Sequence, residues 1–241
     1  MNTSGNSASK VVSEGRLILA IDTCGPSGSV ALGRLVADGS AEVLGQIELE
    51  GRSYSSTLVA AVGELLAQNG VALRDVGAIV AVNGPGSFTG VRVGLSAVKG
   101  LAESARIPVV AISRLLILAR KAGTASSALD AHRGEVYLRL EAAGGNPQEL
   151  LAGRDELAAV DPAPLRVAVC EDAAALLLGA AWPGTQLVRT AAPVAADAMR
   201  PGESRLVAGA FSDLALLDGH YLRRSDAEIF GEAAVAKGRN A

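Results

Sequence analysis

The feature that most constrains the fold is the stretch VNGPGSFTGVRVGLSAVKGLA, Val82 to Ala102. A β-branched run ends there, glycine and proline punctuate the chain, and the pattern resumes with a helical period. Two arrangements call for that order. One is a phosphate-binding turn feeding a helix N-terminus; the other is a smooth helix stripe that another backbone can approach closely. A triphosphate loop needs Lys directly after its last glycine, but Gly90 is followed by Val91 and Arg92. The dinucleotide spacing GxGxxG is matched one residue too long, because Gly84, Gly86 and Gly90 read GxGxxxG. What remains is a helix start with free N–H groups and Ser87 or Thr89 as its cap. Gly86, Gly90 and Gly94, continued by Val98, recur every four residues and line one helix face. Glycine inside a helix costs about 1 kcal/mol relative to alanine, so Gly94 and Gly100 call for a compensating contact. Close packing is the economical reading. A vestigial anion-binding turn of Asp22, Gly84, Gly86, Ser87, Thr89 and Gly90 stands beside it. Asp22 ends an apolar run before a tight turn, where an acid can orient water or metal near phosphates or simply form the turn.

The flanking segments set this motif in an α/β frame. RLILAID (16–22), GSVALGRL (28–35) and AEVLGQIELE (41–50) read as three antiparallel strands. SSTLVAAVGELLAQNG then takes a 3.6-residue period, with Leu58, Val62, Leu65 and Leu66 on one face and Gly70 at its end. From there strands and helices alternate: GAIVAVN, the helix from Val91, PVVAIS, then RLLILARKAG. Nearly continuous β-branched runs between helices indicate parallel strands covered on both faces. A looser series repeats the theme. SSALDAH and GEVYLRLEAA form a hairpin about RG, LRVAVC precedes EDAAALLLGAA, and TQLVRT precedes a helix over ESRLVAGAFSDLALLDG. Two related, tightly packed lobes are expected, divided between Ser113 and Ala125.

Composition removes several function classes. The 241 residues carry a formal charge of −3 and only 3% aromatics, which offers neither an electrostatic field for phosphates nor a base-stacking platform. Two cysteines, Cys24 and Cys170, and two histidines, His132 and His220, leave no zinc-type spacing. Asp130 and His132 in LDAHRGEVY would share a strand face, yet hairpin polarity explains them equally well. The serine- and asparagine-rich start lacks a signal-peptide core. The longest apolar runs, such as the ten residues AAALLLGAAW, fall well below the roughly 18 of a membrane span.

Taken together, LAIDTCGPSGSVAL, GPGSFTGVRVGLSAVKGLA, IPVVAISRL, LDAHRGEVY and YLRRSDAE resemble the TsaB (YeaZ-like) family from about Arg16 to Glu228. That family supplies the partner subunit in bacterial threonylcarbamoyladenosine tRNA modification. The resemblance implies an α/β fold with two lobes, similar to the actin/sugar-kinase/Hsp70-ATPase (ASKHA, ribonuclease H-like) fold. The implied division is a disordered tail over 1–15, an N-terminal lobe over 16–113, a C-terminal lobe over 114–228 and a tail over 229–241. It further implies a non-catalytic paralogue of TsaD, which transfers a threonylcarbamoyl group from its adenylate to the N6 amine of the adenosine beside the anticodon. Two metal-binding histidines of that catalytic relative, four residues apart, fall where this chain has Ser113 and Ile117. Isoleucine offers no ligand atom, so no catalytic residue, metal or cofactor is expected.

The partners implied are TsaD in a heterodimer, the TsaE ATPase in a larger complex, a second copy of the chain when alone, and tRNA mainly indirectly, in the cytoplasm and without a membrane. The family's partner surface falls on helices of about Ser55–Gln68 and Val91–Ala105. There Leu58, Ala61, Leu65, Gly90, Gly94, Ala97 and Leu101 are small or apolar enough to pack in a helix bundle. Many relatives carry His where this chain has Tyr54. The alternative reading is an ATP-binding or hydrolysing enzyme of the same fold that uses Asp22 and the glycine turns. A metallopeptidase reading lacks metal ligands.

Overall fold

The computed structural model describes residues 15–36, 40–50, 54–141 and 146–223. The two expected tails lie outside the described residues, apart from Gly15, and so does the side chain of Tyr54. Two five-stranded sheets with the same strand order form the frame. In the first, β1 (Leu17–Asp22), β2 (Gly28–Leu35) and β3 (Ala41–Leu49) form an antiparallel meander. After α1 (Tyr54–Gln68), β4 (Val76–Val82) joins β1 in parallel. After α2 (Phe88–Ala105), β5 (Val109–Ile112) completes the order β3-β2-β1-β4-β5, and α3 (Arg114–Ala122) follows. The second half repeats the plan. It consists of β6 (Ser126–Asp130), β7 (Val136–Leu140), β8 (Gln148–Ala152), α4 (Arg154–Ala158), β9 (Arg166–Val169), α5 (Asp172–Ala181), β10 (Gln186–Arg189) and α6 (Ala195–Val207). Its sheet order, β8-β7-β6-β9-β10, is the same arrangement.

Burial explains why these strands form. Along β1, five consecutive residues from Ile18 to Asp22 are buried, as a strand covered on both faces requires. A Cβ on Gly45 would touch Leu65 of α1, whereas one on Gly33 would strike Met199 of α6. Gly45 pairs with Leu32, the neighbour of Gly33, so α1 and α6 lie on opposite faces of the first sheet. The second sheet alternates likewise. Ala128, Val167 and Val169 join Ala174, Leu178 and Trp182 in one core cluster, while Leu129 and Ala168 meet Leu115 and Leu118 of α3 in another.

Each half therefore sends its last helix to a central position. α3 covers the inner face of the second sheet, and α6 covers the inner face of the first. The two are tied by Lys121 Nζ donating to Asp197 Oδ2 at 2.6 Å. Residues 195–207, which fall within the expected C-terminal lobe of 114–228, thus pack on the first sheet. The expected helix over 203–219 is corrected. α6 starts earlier and ends at Val207, and it contains Pro201. Tertiary acceptors hold its start: Ala195 N–H donates to Ser29 Oγ at 2.8 Å and Ala196 N–H to Gln46 Oε1 at 3.1 Å. β8 and α4 add elements that the periodicity did not indicate.

Candidate functional site

A cleft of about 1170 Å³ opens between the lobes, at the carboxyl ends of β1, β4, β6 and β9. Crevices at this position are the usual ligand sites of open α/β sheets. One wall comes from the β1–β2 turn and the start of α2, the other from the β6–β7 turn and Glu171.

The glycine stripe forms the first wall by close packing within the chain. A Cβ on Gly86 would collide with Cys24 O, one on Gly90 with Thr23 O, and one on Gly94 with Thr23 Oγ1. Thr23 Oγ1 donates to Gly90 O at 2.7 Å, and Ser87 N–H donates to Cys24 O at 2.8 Å. The stripe therefore meets the chain's own β1–β2 turn rather than a helix. Gly100 departs from the expectation of a close contact, since it is exposed with nothing within 4 Å of a Cβ. Ser87 rather than Thr89 caps α2, accepting the Gly90 amide at 3.2 Å. Gly84 adopts φ 110°, a left-handed value suited to glycine, and its carbonyl accepts the Arg114 amide at 2.6 Å.

Asp22 is 2% exposed, and its carboxylate is fully engaged. Oδ1 accepts the Cys24 amide at 2.8 Å, while Oδ2 lies 3.5 Å from Nε of Arg114, itself 4% exposed. Burial opposes the charge on Arg114, yet the Asp22 carboxylate holds its pKa above the ordinary arginine value. Asp22 is thus not available to orient a metal or an attacking water. Burial and then Asp22 push the Cys24 thiol well up, and burial with Glu171 pushes Cys170 up to about 12. Both thiols stay protonated at neutral pH and are poor nucleophiles.

Sequence reasoning passed over Arg114, although it stands directly after Ser113 in SRLLIL, where a cation inside an apolar helix face was a visible signal. It also passed over Glu149. That carboxylate accepts Ser113 Oγ at 2.6 Å and Arg139 Nη1 at 2.7 Å, with His220 Nε2 at 2.9 Å. Burial alone would raise the Glu149 pKa, but His220, Ser113 and Arg139 together hold it below the ordinary value. Serine, histidine and glutamate meet here in the wrong order for a hydrolase. The carboxylate sits between the other two, so the histidine cannot take the serine proton. Ile117, at the other position compared with a metal ligand, is fully buried. These residues do not fit a metal, and among the described residues no cluster of three or more His, Cys, Asp or Glu side chains would hold one.

The segment after α6 returns across the cleft. His220 N–H donates to Asn83 O at 2.7 Å, the Tyr221 ring lies 5.1 Å from that of Phe88, and Arg223 pairs with Glu135. Arg92 stacks on Phe88 at 3.6 Å. On the second wall His132 sits in the turn at φ 61°, largely exposed, with Nδ1 3.0 Å from Asp130 Oδ2. This pair is turn polarity and does not share a strand face.

The expected interface positions are mostly covered within the chain. Leu58, Ala61 and Leu65 are 1%, 6% and 1% exposed, and Gly90 and Gly94 are buried against Thr23. Their faces cover the sheet or the turn of the same chain. Ala97 and Leu101 are half-buried. The outward face of α1 carries Val59, at 59% exposure, with Ala60, Gly63 and Ala67. Among the described residues no helix is long and apolar enough to cross a membrane.

Two mixed sheets of one topology, each with helices on both faces and a cleft at the ends of the central strands, define an α/β protein of the ASKHA-like fold. A family model described as "TsaD: tRNA N6-adenosine threonylcarbamoyltransferase" matches residues 43–152. The tRNA threonylcarbamoyladenosine biosynthesis protein TsaB of Escherichia coli (strain K12) is 40% identical over 126 residues, 50% of this chain and 52% of that protein. The protein of the same name from Bacillus subtilis (strain 168) is 38% identical over 130 residues, 51% of this chain and 54% of that protein. The solved structure of YeaZ from Pseudomonas aeruginosa superposes with a TM-score of 0.67 at 27% identity, covering 86% of this chain and 100% of that one. The chain spans about half the length of the curated relatives it matches. These similarities support the TsaB (YeaZ-like) family.

Proposed function

We propose that this chain is a non-catalytic partner subunit required for threonylcarbamoylation of the N6 amine of adenosine beside the tRNA anticodon, acting by dimerising with the catalytic TsaD subunit. The observation that carries the reading is the fate of the two positions compared with the catalytic relative's metal-binding histidines. Ser113 donates its hydroxyl proton to Glu149, and Ile117 is sealed in the core. Asp22, the other acid on which chemistry would rest, is neutralised by Arg114 inside the fold. Such a chain contributes a surface instead of a reaction. The outward face of α1, with Val59, Ala60 and Gly63, and the half-buried Ala97 and Leu101 of α2 are the surface assigned to TsaD, and to a second copy of the chain when TsaD is absent. The TsaE ATPase joins the larger complex, and tRNA is reached mainly through the catalytic subunit.

Reconstitution of tRNA modification with the catalytic and ATPase subunits, with and without this chain, tests the reading. Modification is expected only when the chain is present, and Val59→Glu is expected to weaken capture of the catalytic subunit while leaving the fold intact. Modification that proceeds equally well without the chain, or ATP turnover by the chain alone, would remove the proposal.

A further inference from the structure

The segment that follows α6 is fixed to the first lobe by its backbone and reaches the second through side chains. Ser212 bridges Val109 of β5, its amide donating to Val109 O at 2.8 Å and its hydroxyl accepting the Ala111 amide at 3.1 Å. Leu217 is buried in the first core. The His220 amide then donates to Asn83 O at 2.7 Å, and a Cβ on Gly84 would stand only 3.2 Å from His220 O. Tyr221 folds back over Gly219, where a Cβ would strike its ring, and it rests on Phe88 with its hydroxyl accepting Arg92 Nε at 3.3 Å. This stretch moves with the first lobe.

Across the mouth of the cleft the grip is of another kind. His220 Nε2 lies 2.9 Å from Glu149 Oε2 of β8, and Arg223 pairs with Glu135 beside β7, its Nη2 3.5 Å from His132 O. Leu222 packs, half-buried, on the cluster that holds Leu115, Leu118 and Leu129. Arg223 and Glu135 are partly exposed, a setting in which ion pairs hold weakly. Glu149 keeps its hydrogen bonds from Ser113 and Arg139 when His220 leaves, so that release leaves no buried carboxylate bare. The second-lobe contacts are the ones that give way first. His220, Tyr221, Leu222 and Arg223 all line the cleft, whereas Lys121 and Asp197, which tie α3 to α6, do not border it. That helix contact is the natural pivot.

We propose that residues 219–223 are a latch carried by the first lobe, which holds the mouth of the interlobe cleft closed through His220 on Glu149 and Arg223 on Glu135. Its release lets the lobes part about the contact of α3 with α6. Two side-chain pairs at the rim then set the width of the cleft, without a ligand inside it. The latch stands whether or not the chain serves as a partner subunit, and its test uses the chain alone.

Spin labels on Thr89→Cys and Ala173→Cys, exposed positions on the two sides of the cleft, report its width in the full chain by pulsed dipolar spectroscopy. A Cys170→Ser background serves, since Cys24 is buried. One narrow distance distribution is expected for this parent. Arg223→Gln should raise the long-distance population about fivefold, and adding His220→Gln should raise it further, with far-ultraviolet circular dichroism unchanged. Charge reversal, Arg223→Glu with Glu135→Arg, should restore the narrow distribution. Where the His220→Gln combination fails to fold, Arg223→Gln and the reversal still decide. A broad distribution in the parent, an unchanged one in Arg223→Gln, or a broadening that the reversal leaves in place would overturn the proposal.

Discussion

The β1–β2 turn of the first lobe and the β6–β7 turn of the second begin alike and end differently. Each follows the central strand of its sheet, each strand ends in Asp, and in each the Oδ1 atom accepts the amide two residues on, at 2.8 Å. After that they diverge. Thr23 and Cys24 are buried beneath the glycines of α2, and Asp22 is buried against Arg114. His132, Arg133 and Gly134 are exposed, with positive φ values of 61°, 58° and 77°. Repeating a topology repeats positions and hydrogen-bond patterns, but the environment of each position is set by what packs on it. Here one turn has become part of the core, and its twin has remained a loop.

The largest effects should come from breaking the buried half of this comparison. Arg114→Met leaves the Asp22 carboxylate buried without its cation and should cost about 3–5 kcal/mol in denaturant unfolding. Asp130→Ala, facing an exposed histidine, should cost about 1 kcal/mol or less. Comparable losses would mean that the two turns are not energetically distinct. Gly90→Ala forces a methyl group into the Thr23 carbonyl and should cost about 3 kcal/mol by the same measurement, against about 1 kcal/mol for Gly134→Ala, where only the backbone angle is strained.

A smaller and pH-dependent effect should separate the interlobe hub from both turns. Glu149 is held below its ordinary pKa of 4.5 in the folded chain, so its stabilisation is present above that value and is lost as the pH falls through the lower folded value. Glu149→Gln should therefore be less stable than the parent by about 1.5–3 kcal/mol near neutrality, and the gap should close on acidification below 4.5. A gap independent of pH would assign the loss to packing. The smallest effect has the opposite sign. Gly100→Ala meets open space and should gain about 0.5–1 kcal/mol, whereas Gly94→Ala, earlier on the same helix, should lose stability against Thr23.

Much of the frame was legible in the chain. The bounds of β2 match the run read from its sequence, and α1 and α3 end just before Gly70 and Gly123, both left-handed glycines. The close approach implied by Gly86, Gly90 and Gly94 was readable too, because three glycines at helical spacing leave a groove whatever fills it. What fills it was not, and neither was the burial of Leu58, Ala61 and Leu65 in the first lobe's own core. An apolar stripe states that it must be covered but does not name the cover.

By itself, then, the sequence determined the order of strands and helices, the glycine groove and the missing phosphate-loop lysine, all of which depend on residues within a few positions of one another. The tertiary structure alone decided that Arg114 meets Asp22, that Glu149 gathers Ser113, Arg139 and His220, and that α3 and α6 settle on adjoining inner faces of the two sheets. Those pairings join segments far apart along the chain. They exist because burial leaves each charge only the partners that the crossing of the chain has placed nearby.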